Sequence, residues 1–149
     1  MRDAVSITVA HLTGPVLGNS FDANFGLGGM RRLRDQLGDS SSRLGWARRF
    51  ASAEARSVVL GRLHDCLTSE YGSAGATRPL YAAFLAEASA VLPGLAEVAP
   101  MYARAGSLWS SVASGAAAGA SFDSLASLVA SAVTAEEEAV ASLAAAVSR

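Results

Sequence analysis

The stretch YGSAGATRPLYAAFLAE, residues 71–87, decides how the fold is read. Its opening, Tyr71 to Gly75, is too rich in glycine and small side chains to be a helix interior. Thr77 then stands at an N-cap position, with Pro79 inside the first turn, where a missing N–H costs nothing. The helix that follows is apolar on almost every side. Leu80, Phe84, Ala88 and Val91 make one face; Tyr81, Leu85 and Leu92 make another. A helix apolar all round is a buried one, so this helix is expected at the centre of the molecule. Arg78 sits at its start, where outward-pointing N–H groups favour negative charge. Two readings stay open. Either Arg78 and the glycine turn outline an anion pocket, or Arg78 pairs with a carboxylate and the glycines only make a tight turn.

Working outward toward the C-terminus, Pro93-Gly94 forces a turn. Leu95, Val98, Tyr102, Ala105, Trp109 and Val112 then recur at spacings of three and four, a seam that wants a facing helix. Pro100 is expected to bend it. Gly115 to Gly119 ends it, and Ser121 can cap another helix along Phe122, Leu125, Val129 and Ala132. Thr134-Ala-Glu-Glu137 has the form of a capping box, so a fresh helix is expected there, with Val140, Leu143 and Val147 inward. Between Arg104 and Glu136 the only charged residue is Asp123. Either this surface is easily desolvated and suits a protein partner, or an alanine-biased composition explains it.

Working back toward the N-terminus, Asp39 and Ser40 can cap a helical region running to about Glu70, with Trp46, Phe50, Val59, Leu63, Cys66 and Leu67 along it. His64 lies on that region and reads as a packing residue. Phe25-Gly26-Leu27-Gly28-Gly29-Met30-Arg31-Arg32-Leu33 carries glycines into an arginine-bearing helix that ends near Gly38. It lacks the lysine of a phosphate loop and a preceding strand, so nucleotide binding is dismissed. Arg31 and Arg32 read as solvated, a weaker anion site being the alternative. Residues 18–26 read as a polar loop, and residues 3–12 as a short helix closed by Gly14-Pro15. Nothing alternates with a period of two over a useful length. The expected fold is all-α, one domain over residues 1–149, with six or seven helices around one central buried helix.

With 149 residues the chain can bury a real core. The formal net charge of −1 argues against a polyanion-binding module. All twelve basic residues are arginine. Residues 1–62 hold nine of them against five acids, a net +4, whereas residues 63–149 hold three against eight, a net −5. A few scattered arginines do not make a nucleic-acid face. Cys66 is alone, so no internal disulfide forms, and with only His11 and His64 beside it no metal site is expected. It reads as a buried apolar thiol. Asp3, Ser6 and His11 interrupt the N-terminus, which lacks the apolar run of a signal peptide. The alanine-rich stretch near 112–135 is too polar to span a membrane. The protein therefore reads as soluble and cytoplasmic.

No Ser-His-Asp or Cys-His set can be argued, and Glu136 to Glu138 read as the acidic first turn of a helix. Tyr81 lies one turn after Arg78, with Glu87 farther round. A tyrosine hydroxyl beside an arginine can orient an anion, or it can be a core hydrogen bond.

Four pieces of the sequence together carry a resemblance. They are Phe25-Gly26-Leu27-x-Gly29-Met30-Arg31-Arg32-Leu33; Tyr71-Gly72-Ser73-Ala74-Gly75-x-x-Arg78-x-x-Tyr81-x-x-Phe84-Leu85-x-Glu87; Tyr102 and Trp109; and Glu137-Glu138. In order and spacing they resemble the C-terminal helical domain of the butirosin-type acyltransferase (BtrH-like) family. In that family a papain-like domain precedes this one, and an acyl group passes from a carrier protein to an amine. Here that first domain is missing, so the resemblance implies a second, different protein subunit that brings the catalytic groups. A two-subunit arrangement is similar to the aziridine-forming enzymes of azinomycin- and vazabitide-type pathways, in which an amine displaces sulfate on a carrier-bound amino acid. On that likeness, Gly72, Ser73, Gly75, Thr77, Arg78, Tyr81 and Glu87 are the expected substrate-binding residues, with the sulfate at the helix start. Acyl transfer is the rival reaction, and a non-catalytic scaffold the rival role. No cofactor is expected, and the catalytic residues stay unassigned.

Overall fold

The computed structural model describes residues 1–70 and 72–148; Tyr71, which opens the central motif, lies outside the described residues. Among these residues the chain forms seven α-helices and no strand, one all-α domain. They are α1 (Arg2–Thr13), α2 (Gly26–Gly38), α3 (Trp46–Arg49), α4 (Ala53–Asp65), α5 (Arg78–Ala88), α6 (Leu95–Ala117) and α7 (Phe122–Ser148). A 3₁₀ turn at Ser20–Asn24 precedes α2, and a π-helical turn at Cys66–Glu70 extends α4.

The two long helices are the frame. The α6 seam Leu95, Val98, Tyr102, Ala105, Trp109 and Val112 is buried throughout, as its spacing demands. Leu95, Val98 and Tyr102 pack with Ala139, Leu143 and Ala146 of α7, and Val112 and Ala116 pack with Leu125 and Val129. Early residues of one helix meet late residues of the other, so α6 and α7 form an antiparallel hairpin. Its turn closes on Gly119 (φ +73°), whose N–H reaches Ala116 O, while Ala120 N–H reaches Gly115 O. Ser121 caps α7, its hydroxyl accepting the Ser124 N–H at 3.0 Å. Around the hairpin, Val5 of α1 and Ala82, Leu85 and Ala88 of α5 complete one core cluster. Leu37 of α2 with Leu60 and Leu63 of α4 completes the other.

Three sequence expectations are corrected. First, the central buried helix is not α5. Only Ala82, Leu85 and Ala88 of α5 are buried, while Leu80 is 60%, Phe84 40% and Val91 66% exposed. The predicted face with Tyr81, Leu85 and Leu92 is turned inward; of the other, Ala88 is buried in the core and Phe84 stacks on Tyr81, while Leu80 and Val91 stand open. Second, no new helix starts at Thr134. Ala132, Val133, Ala135, Glu136, Ala139 and Val140 keep the buried stripe of α7 unbroken, and the Thr134 hydroxyl bonds back to Ala130 O. Third, Asp39 caps no helix. Its carboxylate accepts the N–H groups of Ser41 and Ser42 and closes a turn on itself, and Ser52 caps α4 through Ala55 N–H at 3.1 Å. The charge-poor stretch between Arg104 and Glu136 is mostly the core hairpin, and its outward side carries serine and alanine. Its exposed serines and threonine, such as Ser107, Ser111, Ser127, Ser131 and Thr134, donate to carbonyls four residues earlier. Helix α6 also continues through Pro100, which stands on its exposed side.

Two glycines set how closely α5 and its preceding loop approach α6. A Cβ on Gly75, whose φ is +71°, would sit 2.7 Å from Gly106 O. A Cβ on Gly106 would sit 2.8 Å from Pro79 Cδ. Backbone therefore packs on backbone here, and added methyls have nowhere to go. Gly106→Ala or Gly75→Ala is expected to lose about 1–3 kcal/mol in urea denaturation. Gly28→Ala, on the open side of α2 with nothing within 4 Å of the new methyl, should gain about 0.5–1 kcal/mol.

Candidate functional site

The loop entering α5 is strained. Gly75, Ala76 and Thr77 are successive left-handed residues, with φ of +71°, +53° and +68°. For alanine and threonine this conformation costs on the order of 1 kcal/mol each, so neighbours must hold it. Ala76 N–H donates to Leu67 O at 3.1 Å, Thr77 N–H to Ser73 O at 3.0 Å, and Arg78 N–H to Gly75 O at 3.1 Å. Those amides are spent on the loop's own carbonyls and the π-turn, and do not point together at an anion. Thr77 holds the N-cap position but caps nothing through its side chain, because a capping oxygen needs extended backbone at that residue. Its hydroxyl lies against Gly72 instead, where a Cβ would overlap it.

Arg78 leaves this loop inward. Its Nε donates to Glu136 Oε1 at 2.6 Å, and its Nη1 to Ala76 O at 3.1 Å. Glu136 is 0% exposed, and the same Oε1 accepts the Trp109 indole N–H at 2.8 Å. One carboxylate oxygen thus ties α5, α6 and α7 together. Of the two readings of Arg78, the carboxylate pair is the one found. A neutral pair exerts little pull on sulfate or phosphate, so the anion pocket at Arg78 is revised to an internal salt bridge.

The tyrosines stand beside this bridge. The rings of Tyr81 and Tyr102 meet edge to face, with centroids 4.8 Å apart, and Tyr81 stacks on Phe84 at 5.8 Å. Tyr81 Oη, Tyr102 Oη and Glu136 Oε2 are buried and, among the described residues, make no hydrogen bond of good geometry, the Thr8 hydroxyl being the group near Tyr81 Oη. Burial raises the pKa of both phenols, Tyr102 more strongly, with Tyr81 and Glu136 adding to the effect at Tyr102.

The structure thus brings Gly75, Thr77, Arg78 and Tyr81 around the start of α5, with Ser73 supplying a carbonyl and Gly72 at the exposed edge. Glu87 does not join them. It lies about 13 Å further along the helix axis, exposed. Glu136 and Trp109, the partners of Arg78, had no role in the expected site. The signal for Glu136 was present in its register, since it falls with Val129, Ala132, Val133, Val140 and Leu143 on the apolar stripe of α7. A charge inside an apolar stripe asks for a buried partner.

The three consecutive glutamates reach three different arginines. Glu136 meets Arg78 of α5, Glu137 meets Arg31 of α2 at 2.7 Å, and Glu138 meets Arg104 of α6 at 3.6 Å. Arg31 is therefore paired rather than free. His64 Nδ1 lies 3.2 Å from Ala113 O, a packing contact as expected. Cys66 is half-buried rather than fully buried, and burial together with a hydrogen bond to Glu70 raises its pKa, so the thiol is not an activated nucleophile. Surface hollows lie elsewhere, one of about 480 Å³ lined by Gly28, Arg31, Arg32, Gln36, Ser42 and Leu44, and one of about 460 Å³ along α4. Among the described residues no group of three His, Cys, Asp or Glu could hold a metal ion, and no helix is long and apolar enough to cross a membrane.

The fold and this bridge define an all-α domain built around an internal Arg–Glu–Trp contact. The chain belongs to the family described as a domain of unknown function, DUF4872, whose model matches residues 1–143. No curated protein and no solved structure matches it.

Two predictions follow from the bridge and its tyrosines. Arg78→Ala leaves Glu136 buried and unpaired, and is expected to lose about 3–5 kcal/mol in urea denaturation. The double variant Arg78→Met, Glu136→Leu should recover part of that loss, the buried Trp109 N–H being left without its acceptor; recovery of none of it would contradict the pairing. Tyr102 keeps its proton in the folded state above the pH, about 10, at which an unfolded tyrosine loses it. Folded-state binding of that proton is the tighter, so stability should be flat up to about pH 10 and fall above it. Tyr102→Phe should remove part of the alkaline fall, and should not destabilise at pH 7, since the hydroxyl it deletes has no partner.

Proposed function

We propose that this chain is the helical subunit of a two-chain enzyme of natural-product biosynthesis, docking on a separate catalytic chain. One observation carries the reading. Helix α5 is apolar on almost every side, and this chain covers only part of it, leaving Leu80 and Phe84, with Val91 just past the helix end, in the open. An apolar face of that kind on an ordered helix marks a place where another surface sits. Scattered exposed leucines need no explanation, but residues in register on one helix do.

The resemblance to the BtrH-like family supplies the setting, a substrate carried on a carrier protein and a reaction at an amine. That family's own reaction is acyl transfer. The two-chain organisation favours aziridine closure instead, in which the amine nitrogen bonds to the carbon bearing sulfate, sulfate leaves with the C–O electron pair, and a base on the catalytic chain takes the N–H proton. With Arg78 neutralised by Glu136, the leaving-group contact falls to the catalytic chain, and this chain contributes positioning. That allotment suits chemistry in which orientation of amine and leaving group supplies much of the rate.

The test is assembly followed by turnover. Mixed with the separate catalytic chain that the proposal requires, this protein should co-elute as one species in size-exclusion chromatography with light scattering. Free sulfate should then appear from a sulfated, carrier-bound amino acid only with both chains present. Acylated amine in place of sulfate would reassign the reaction to acyl transfer. A chain that stays alone in the mixture, or that turns over substrate by itself, would end the proposal.

A further inference from the structure

The uncovered face of α5 has a register of its own. Leu80, Phe84, Glu87 and Val91 follow one another at spacings of four, three and four, the repeat that makes a seam for a facing helix. The turn after α5 keeps the helical sense far enough to include Val91, through Ala90 N–H to Glu87 O and Val91 N–H to Ala88 O. All four residues are exposed. Glu87 is the only charged residue between Arg78 and Glu97, and its carboxylate makes no ion pair or hydrogen bond among the described residues. A lone carboxylate in the middle of an apolar seam specifies what may lie across from it, because an unmatched charge there would be desolvated without compensation.

We infer that this seam takes one amphipathic helix of a different protein chain, with an arginine or lysine set opposite Glu87 between apolar residues opposite Phe84 and Val91. A second copy of this chain does not fit. Helix α5 has no basic residue to offer Glu87, since Arg78 is committed to Glu136, and parallel self-pairing would bring two Glu87 carboxylates together. The inference rests on the docking reading above and adds the chemistry of the helix that the face takes.

Synthetic helical peptides test it against the full chain. One carries leucines at the seam positions and arginine at the position facing Glu87; its twin carries glutamate there. By fluorescence anisotropy the wild-type chain should prefer the arginine peptide by about tenfold, and Glu87→Arg should reverse the preference. Leu80→Asp, at an exposed position that leaves circular dichroism unchanged, should bind neither. Equal binding of the two peptides, or binding of neither by the wild type, overturns this inference while co-elution with the catalytic chain still decides the docking reading separately. Self-association lost in Leu80→Asp would instead give the face to a second copy. Binding to neutral phosphatidylcholine vesicles lost in the same variant would give it to a lipid surface.

Discussion

Everything that positions α5 depends on one buried contact, the guanidinium of Arg78 against the carboxylate of Glu136. Taking both charges out of water is costly, and their attraction and the Trp109 N–H offset that cost only in one geometry. A pair of this kind is therefore a weak source of stability and a strong constraint. It fixes the angle at which α5 meets the hairpin, and it holds the left-handed loop through Arg78 Nη1 and Ala76 O. The glycines complete the constraint from the other side. With no Cβ at Gly75 or Gly106, the loop reaches α6 backbone to backbone, and the arginine then reaches Glu136.

The same contact explains why a helix N-terminus bearing arginine and glycines is not an anion site. Anion sites need N–H groups left over by the fold and positive charge left unpaired. Here the amides of Ala76, Thr77 and Arg78 close the loop, and the guanidinium is matched within the chain. The acidic run 136–138 works likewise. Read along the sequence it looks like the first turn of a helix; in space the helix turns each carboxylate to a different side, where α5, α2 and α6 each present an arginine. Glu137 and Glu138 are partly exposed and their pairs add at most about 1 kcal/mol each. Glu136 is the one whose partner matters.

What the sequence made legible was periodicity. The α6 seam from Leu95 to Val112 and the α7 stripe from Phe122 onward were readable because each buries one face against the other. Local signals were less dependable. Thr134-Ala-Glu-Glu137 has the composition of a helix start, but a cap forms only where N–H groups lack partners, and an unbroken apolar stripe left none there. Thr77 stands where a cap belongs, yet its left-handed backbone removes the geometry. The misplacement of α5 has a different origin. An apolar circumference tells that a helix needs covering on all sides, and says nothing of whether the cover belongs to the same chain. The predicted site fared similarly, since Arg78 and Tyr81 come together while Glu87, on the same helix, faces away along the seam.

That last separation bears on how docking and the core communicate. Phe84 belongs to the open seam and stacks on Tyr81, whose ring meets Tyr102 in the core beside the Arg78–Glu136 bridge. A helix seated on Leu80, Phe84 and Val91 as proposed would press on a continuous line of rings ending at the buried polar atoms. Because α5 is already anchored at its start by Arg78 and along its inner face by Leu85 and Ala88, little ordering would be needed for the proposed partner to dock. Association on a preformed helix keeps more of its interface free energy than association that must first fold one. On the proposed docking, the internal bridge serves the outer surface by holding the helix that carries it.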